Sequence, residues 1–494
     1  MLVSNYLKMI LYEMNMKKIL IYGLSAVLAL GAGSCSDFLH EEPVFEQNND
    51  LTLSAYSGLY KATMAAYIPL YRSYWYGAEF VLSAEIRSGN AKRASKESGR
   101  YITEYNWNYS EANTSNLFYS GYQTIAGANN VLNNLEGKES EDVTTQDLDN
   151  LKAECLFLRA LAYFDMLRIY AQPYTSAPGS LGVPLVYETE IGTPARNTVK
   201  ECYDQIVKDL TTAEAAIADD FTRDDVTDKY AVVSKNAICA LLSRVYLYMG
   251  EWQKCADYAT KVINSGKYSM FTADEFADPA TWKGNMAADG KEIIFEVFAS
   301  KNNANNPYWD EICEMTNPSG YADVAVSNDL YKLYADGDVR GDLFTIGFTD
   351  DGGTTYNDIW TLKYPGKGTD RPNVNNIPVL RLSEMYLNRA EAIARGASVS
   401  GVSADSDLKV ITSNRGAADV AATINSILLE RRKELAFEGH YLYDLARTGT
   451  SVTRVDYDGT ELTRNVEFPS YRWALPIPKH EMDCNPNMIQ NEGY

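Results

Sequence analysis

The chain has 494 residues, 46% hydrophobic and 22% charged, and 66 acidic side chains against 45 basic ones give it a net charge of −21. These proportions exclude wholesale disorder, and the length allows one large domain or roughly two to three ordinary ones. The acidity excludes a nucleic-acid partner, because phosphate binding needs a basic face.

In chain order, the first readable element is an address. Within MKKILIYGLSAVLALGAGSC, Lys17 and Lys18 precede an apolar run from Ile19 to Leu30 and then small residues. That is the pattern of a secretory signal, and the run is short for a bilayer span. Residues 1–15 read as a mis-called upstream extension and 16–34 as a lipoprotein signal peptide. Ala32-Gly33-Ser34-Cys35 resembles a lipobox, with Ala32 where leucine is usual. Cys35 is then the lipidated first residue, tethering a soluble protein to a membrane surface.

From Leu70 to Tyr109 the chain reads LYRSYWYGAEFVLSAEIRSGNAKRASKESGRYITEYNWNY, and from Ser300 to Tyr321 it reads SKNNANNPYWDEICEMTNPSGY. In both, small polar residues interleave with Tyr and Trp, and both are expected to be long loops. Such loops inside a compact domain are functional or disordered, and aromatic content argues against disorder.

Elsewhere helical periodicity dominates. In LKAECLFLRALAYFDMLRIYA, Leu151, Cys155, Leu158, Ala162, Met166 and Ile169 recur at steps of three and four. Phe157, Leu161 and Phe164 form a second stripe, so this helix is expected to pack on two sides. TVKECYDQIVKDLTTAEAAI follows, with Thr198 and Glu201 at capping-box spacing. SKNAICALLSRVYLYMGEWQKCADYATKVINSGKYSM holds two runs that meet at Gly250, the second stopping at Gly266. Small residues at their crossing give the pair a tetratricopeptide-like character. IPVLRLSEMYLNRAEAIARG and INSILLERRKELAFEGHYLYDLAR each read as one further helix.

Few motifs carry chemistry. No GxSxG, P-loop or GxGxxG is present, so no cofactor is implied. DGDVRGDLFTIG begins like a calcium loop with Asp336, Asp338 and Asp342, but Arg340 takes the fifth ligand position and Gly347 the place of the bidentate glutamate. No metal site is assigned. The 3 His and 36 Tyr weaken imidazole chemistry and fit helix packing or an aromatic binding surface. Cys155, Cys202, Cys239, Cys255, Cys313 and Cys484 lack CxxC spacing and read as small buried apolar residues. Glu434 and Glu438 have the residue type of a glycosidase pair. At i,i+4 on one helix, however, they point the same way, with Arg431, Arg432 and Arg447 at hand to neutralise them; the expectation is an internal ion-pair network and no catalytic residue.

Taken in order, Cys35-Ser36-Asp37-Phe38-Leu39, SNLFYSGYQTIAGANNVL, AECLFLRALAYFDMLRIY with GVPLV after it, SKNAICALLSRVYLYMGEW, VLRLSEMYLNRAEA, ERRKELAFEGHYLYDLAR and LPIPKHEMDCNPNMIQNEGY resemble the SusD/RagB family of outer-membrane nutrient-binding lipoproteins. Tyr441 departs from the basic residue many members carry there. The resemblance implies a mostly α SusD-like fold, with tetratricopeptide-like helix pairs as scaffold and long ligand-binding loops. It implies one domain over 35–494, its N-terminal part about 35–230 and its C-terminal part about 231–494. It further implies a lipid-anchored, surface-exposed outer-membrane protein that binds oligosaccharide or polysaccharide and passes it to a SusC-like TonB-dependent transporter without cleaving it. Capture of peptides for the same kind of transporter is the alternative; a helical glycosidase and a non-transport scaffold are weaker ones.

Sugar rings present apolar C–H faces that flat aromatic rings cover, and hydroxyls that need polar partners when desolvated. In the two aromatic loops Trp75, Tyr101, Trp107, Tyr308 and Trp309 are the stacking candidates. Asn90, Arg93, Asn305 and Asn306 are the polar ones.

Overall fold

The computed structural model describes residues 52–284, 291–300, 310–368 and 372–494. By backbone packing the chain divides into Met1–Gly58, of which 52–58 are described, and Leu59–Tyr494. In the second unit the principal helices are α1 Glu79–Ser88, α2 Ile102–Asn106, α3 Leu117–Leu132, α4 Thr145–Tyr170, α5 Val199–Ala216, α6 Lys235–Met249, α7 Trp252–Asn264, α8 Ile312–Thr316, α9 Leu382–Ala394, α10 Ala404–Asn414, α11 Ile424–Glu434 and α12 Tyr441–Thr448. Short antiparallel pairs lie among them: β1 (Ala91–Arg93) with β3 (Val324–Val326), β2 (Ile293–Val297) with β6 (Ile377–Arg381), and β4 (Phe344–Thr349) with β5 (Thr355–Thr361).

The centre of the core is α4. Every side chain from Ala153 to Tyr170 is buried, because α3, α5 and α6 all pack on it. Two stripes understate this: with apolar side chains all round and Arg159 paired to Asp209 at 2.7 Å, no face needs water. The capping box at α5 forms as expected: Glu201 N–H donates to Thr198 Oγ1 (3.2 Å) and Thr198 N–H to Glu201 Oε2 (2.8 Å). Gly250 ends α6 in the left-handed conformation at φ 75°, and α7 folds back against α6. Close approach is allowed by Ser243, whose hydroxyl donates to the Cys255 carbonyl at 3.0 Å. The same arrangement recurs as α9 on α10, and α7 also packs on α9.

Four expectations are corrected. The Leu70–Tyr109 segment is not simply a loop: EFVLSAEIRS forms α1, whose residues from Phe80 to Ser88 are all buried. Its apolar residues follow one another without helical period, because all of its faces are covered. The run IPVLR is strand β6, fully buried against β2, and the helix begins only at Leu382. The charged helix near the C-terminus is broken into α11 and α12. Phe437 (φ 64°) and Gly439 (φ 75°) turn the chain, Gly439 N–H donates to Glu85 Oε1 at 2.8 Å, and a Cβ there would stand 3.2 Å from the Val81 Cα. Contact with α1 decides that break, and no local propensity announces it. Finally, Cys484 is exposed, whereas Cys155, Cys202, Cys239, Cys255 and Cys313 are buried free thiols.

Burial pushes the Cys155, Cys239 and Cys255 thiols up to about 12 and Cys202 to about 11. Of the described cysteines only Cys484 is therefore expected to react with a thiol reagent in the folded chain. A Cys484→Ser variant that still titrates a fast thiol, once Cys35 is removed, contradicts this.

Candidate ligand-binding cleft

The two aromatic segments meet. The β1–β3 ladder pairs Ala91 with Val326 and Arg93 with Val324. Lys96 Nζ donates to the carbonyls of Pro318 (2.7 Å) and Gly320 (3.1 Å), and the Ser98 N–H to the Asp323 carboxylate. Next to this staple lies a cleft of about 360 Å³, lined by Ser73, Tyr74, Ala78, Glu79, Gly99 to Glu104, Asn113, Asp310 and Met315. A larger open hollow of about 770 Å³ lies between α3 and 184–194, but of these two it is the smaller cleft that joins both aromatic segments.

The cleft offers apolar and polar groups together. Tyr74 is 40% exposed and Ile102 46% exposed. Arg100 spans the floor: Nη1 donates to Asp323 Oδ2 (3.1 Å), Nη2 lies 3.5 Å from Asp310 Oδ1, and the guanidinium covers the Tyr321 ring at 4.4 Å. Of the described non-glycine residues with positive φ, three belong to this region: Tyr101 (59°), Trp107 (49°) and Ala322 (57°). Left-handed backbone costs about 1–2 kcal/mol at a bulky residue, and such strain persists where surrounding packing over-determines the chain, commonly at functional sites.

The structure sorts the sequence candidates. Tyr101 lines the cleft. Trp75 does not: it is fully buried, its indole N–H donating to Asp165 Oδ2 at 2.7 Å, so its face is core. Trp107 is buried as well. Its N–H donates to the Arg87 carbonyl (3.2 Å), the Arg87 guanidinium covers its face at 4.3 Å, and its ring meets Trp473 edge-on, which makes it a loop anchor. Asn90 is fully buried, donating to Glu85 Oε2 and accepting from Arg432 Nε, both at 2.8 Å. Neither Trp75, Trp107 nor Asn90 presents a free face or polar group to a ligand. Arg93 is on β1, paired with Glu97 and outside the cleft lining. Tyr308, Trp309, Asn305, Asn306 and Cys35 lie outside the described residues. Tyr74, Glu79, Arg100, Ile102, Glu104 and Asp310 line the cleft as well and are not among the sequence candidates. Only side-chain direction separates Tyr74 from its neighbour Trp75, and an aromatic run without period conceals direction.

Electrostatics marks Glu79 and Glu104. Burial, reinforced by the Glu104 charge and opposed by Ser115, pushes the Glu79 carboxyl up to about 8. Burial also raises Glu104. The folded chain thus holds a proton on Glu79 that the unfolded chain releases near pH ~4.3. Its contribution to stability is fully present below that value and lost as pH rises through about 8. Glu79→Gln is therefore expected to gain stability over the unsubstituted chain between about pH 5 and pH 9, by about 1–2 kcal/mol once solvent screening is allowed for. Urea unfolding at both pH values checks this; a pH-independent difference refutes it.

Glu434 and Glu438 lie elsewhere, inside the protein. Glu434 is fully buried among Arg415 (2.9 Å), Arg381 (3.3 Å) and Arg340 (3.5 Å). Glu438 is buried between Lys363 (2.5 Å) and Arg381 (2.8 Å). Burial pushes both carboxyls up, but Arg415 and Arg381 at Glu434, and Arg381 and Lys363 at Glu438, outweigh it and hold them below the usual carboxylate range. The network expected from sequence is there with different cations. Arg431 pairs with Asp444, Arg447 with Asp444 and Glu391, and Arg432 stacks on Tyr441. Among the described residues no group of His, Cys, Asp and Glu is placed to hold a metal ion, and no helix is long and apolar enough to cross a membrane.

Comparison with known proteins agrees with the fold. Residues 37–247 match a family described as starch-binding, associating with the outer membrane, and residues 349–494 match the SusD family. SusD-like protein P2 of Formosa agariphila is 25% identical over 520 residues, covering 95% of this chain and 98% of that protein. The starch-binding protein SusD of Bacteroides thetaiotaomicron is 33% identical over 124 residues, 24% of this chain and 22% of that one. A crystal structure of a SusD superfamily protein from Bacteroides vulgatus is 30% identical, covers 89% of this chain and 99% of its own, and superposes with a TM-score of 0.78. With its helix pairs, its ordered sequence blocks and these matches over nearly all of its length, the chain belongs to the SusD/RagB family.

Proposed function

We propose that this chain is a surface lipoprotein, held to the outer membrane through Cys35, that captures oligosaccharides in the cleft and delivers them uncleaved to a SusC-like TonB-dependent transporter. The observation that carries the reading is the convergence of both aromatic segments on one cleft, where the exposed Tyr74 and the strained Tyr101 adjoin Arg100, Glu104 and Asp310. Tyr74 and Tyr101 cover sugar ring faces, while the charged groups and Asn113 satisfy hydroxyls. Tyr308, Trp309, Asn305 and Asn306 precede Asp310 directly in sequence and keep their stacking and hydroxyl-binding roles in this proposal. The family description and the name of the starch-binding relative support a glycan as cargo. Burial and full pairing of Glu434 and Glu438 support binding without hydrolysis, since neither reaches a substrate. Docking on the transporter needs about 1,000 Å² or more of buried area.

Calorimetric titration with purified oligosaccharides and with a mixed peptide pool tests the proposal. Saturable heat from a glycan, with no new reducing ends, is expected. Heat from peptides alone assigns the cleft to peptide import, and sustained release of reducing sugar overturns the non-catalytic role.

A further inference from the structure

We infer that the cleft takes uncharged glycan chains and rejects chains bearing uronate or sulfate groups, an inference that rests on the capture reading above. Its basis is how the charges around the cleft are already committed. Arg100 is the one cation among the described lining residues. Its guanidinium is shared between Asp323 (3.1 Å) and Asp310 (3.5 Å) while its face covers Tyr321. The Asp323 side chain is fully buried, so drawing Arg100 toward a ligand anion would strip a buried carboxylate of its counter-charge. The other cations from β1 to Arg100 are engaged too. Lys96 donates to the Pro318 and Gly320 carbonyls, Arg93 pairs with Glu97, and Lys92 lies 3.0 Å from Asp456.

The same lining adds negative charge. Glu79 and Glu104 line the cleft together with Asp310, and burial, reinforced by the Glu104 charge, keeps Glu79 protonated up to about pH 8. An arriving carboxylate or sulfate would lie against Glu104 and Asp310. Two like charges about 4 Å apart repel by about 1 kcal/mol in bulk water and about 4 kcal/mol at a protein surface, about 5- to 1,000-fold in affinity. A sugar hydroxyl meets the opposite situation, since ionised carboxylates accept its proton in short, charge-assisted hydrogen bonds and a protonated Glu79 both accepts and donates. The net charge of −21 repels a polyanion before contact as well.

The experiment titrates the detergent-solubilised mature chain with matched pairs that share a backbone: homogalacturonan against its methyl ester, and sulfated galactan against its desulfated form. For any backbone that binds, the neutral member is expected to bind at least about tenfold tighter, with the gap shrinking as salt is raised. Equal or tighter binding of the charged member overturns the inference while leaving capture intact. Silence towards every neutral chain, other purified neutral oligosaccharides included, overturns the capture reading and the inference with it. Glu104→Gln separates the cleft from the whole-protein field: the neutral-to-anionic ratio is expected to fall by about tenfold, and an unchanged ratio overturns the assignment to this cleft.

Discussion

Replacing Glu434 by glutamine is expected to lower the free energy of unfolding by about 3–5 kcal/mol. The carboxylate is the shared counter-charge of Arg415, Arg381 and Arg340, all within 3.5 Å of it, and none of the four residues is more than 2% exposed. An amide of the same shape keeps the packing volume and part of the hydrogen bonding. It leaves three guanidinium groups with Glu292, Glu438, Glu430 and Asp338 as their remaining acids. Removing one partner of a buried pair costs more than the pair ever contributed, because the remaining charges stay desolvated. The loss spreads because the cluster ties β2, β6, α11 and the segment around Arg415 together. Urea unfolding of the variant at neutral pH reads the effect. A change below about 1 kcal/mol would mean that solvent reaches the cluster. Arg381→Met, which also removes the charge between Glu434, Glu438 and Glu292, should behave alike.

The second large effect concerns capture. Tyr74→Ala is expected to weaken glycan binding by about 10- to 30-fold, roughly 1.5–2 kcal/mol, the scale of a single aromatic anchor in a binding surface. Stability should hardly move, since the ring is 40% exposed. Trp75→Ala is the contrasting neighbour. It removes a fully buried indole and leaves Asp165 without a 2.7 Å donor, so it should cost about 3–5 kcal/mol of stability. Calorimetric titration and urea unfolding of both variants separate the roles. A Trp75→Ala chain of unchanged stability, or a Tyr74→Ala chain of unchanged affinity, would mean that the two faces have been assigned the wrong way round.

What the sequence determined by itself was whatever depends on short range. The capping box at Thr198, the stop at Gly250, the long helix through Ala162 and the pairing of α6 with α7 each follow from period, caps and small residues within a few turns, and the ordered blocks were enough to place the chain in its family. Tertiary structure decided the rest. Gly439 breaks a helix because Val81 and Glu85 lie against it. Glu434 is neutralised by Arg381 and Arg340, which are 53 and 94 residues away along the chain, in place of the arginines beside it. Tyr74 faces the cleft while Trp75 faces Asp165. Side-chain direction and long-range charge pairing are set by which segments meet, and in an aromatic run without period nothing local encodes that meeting.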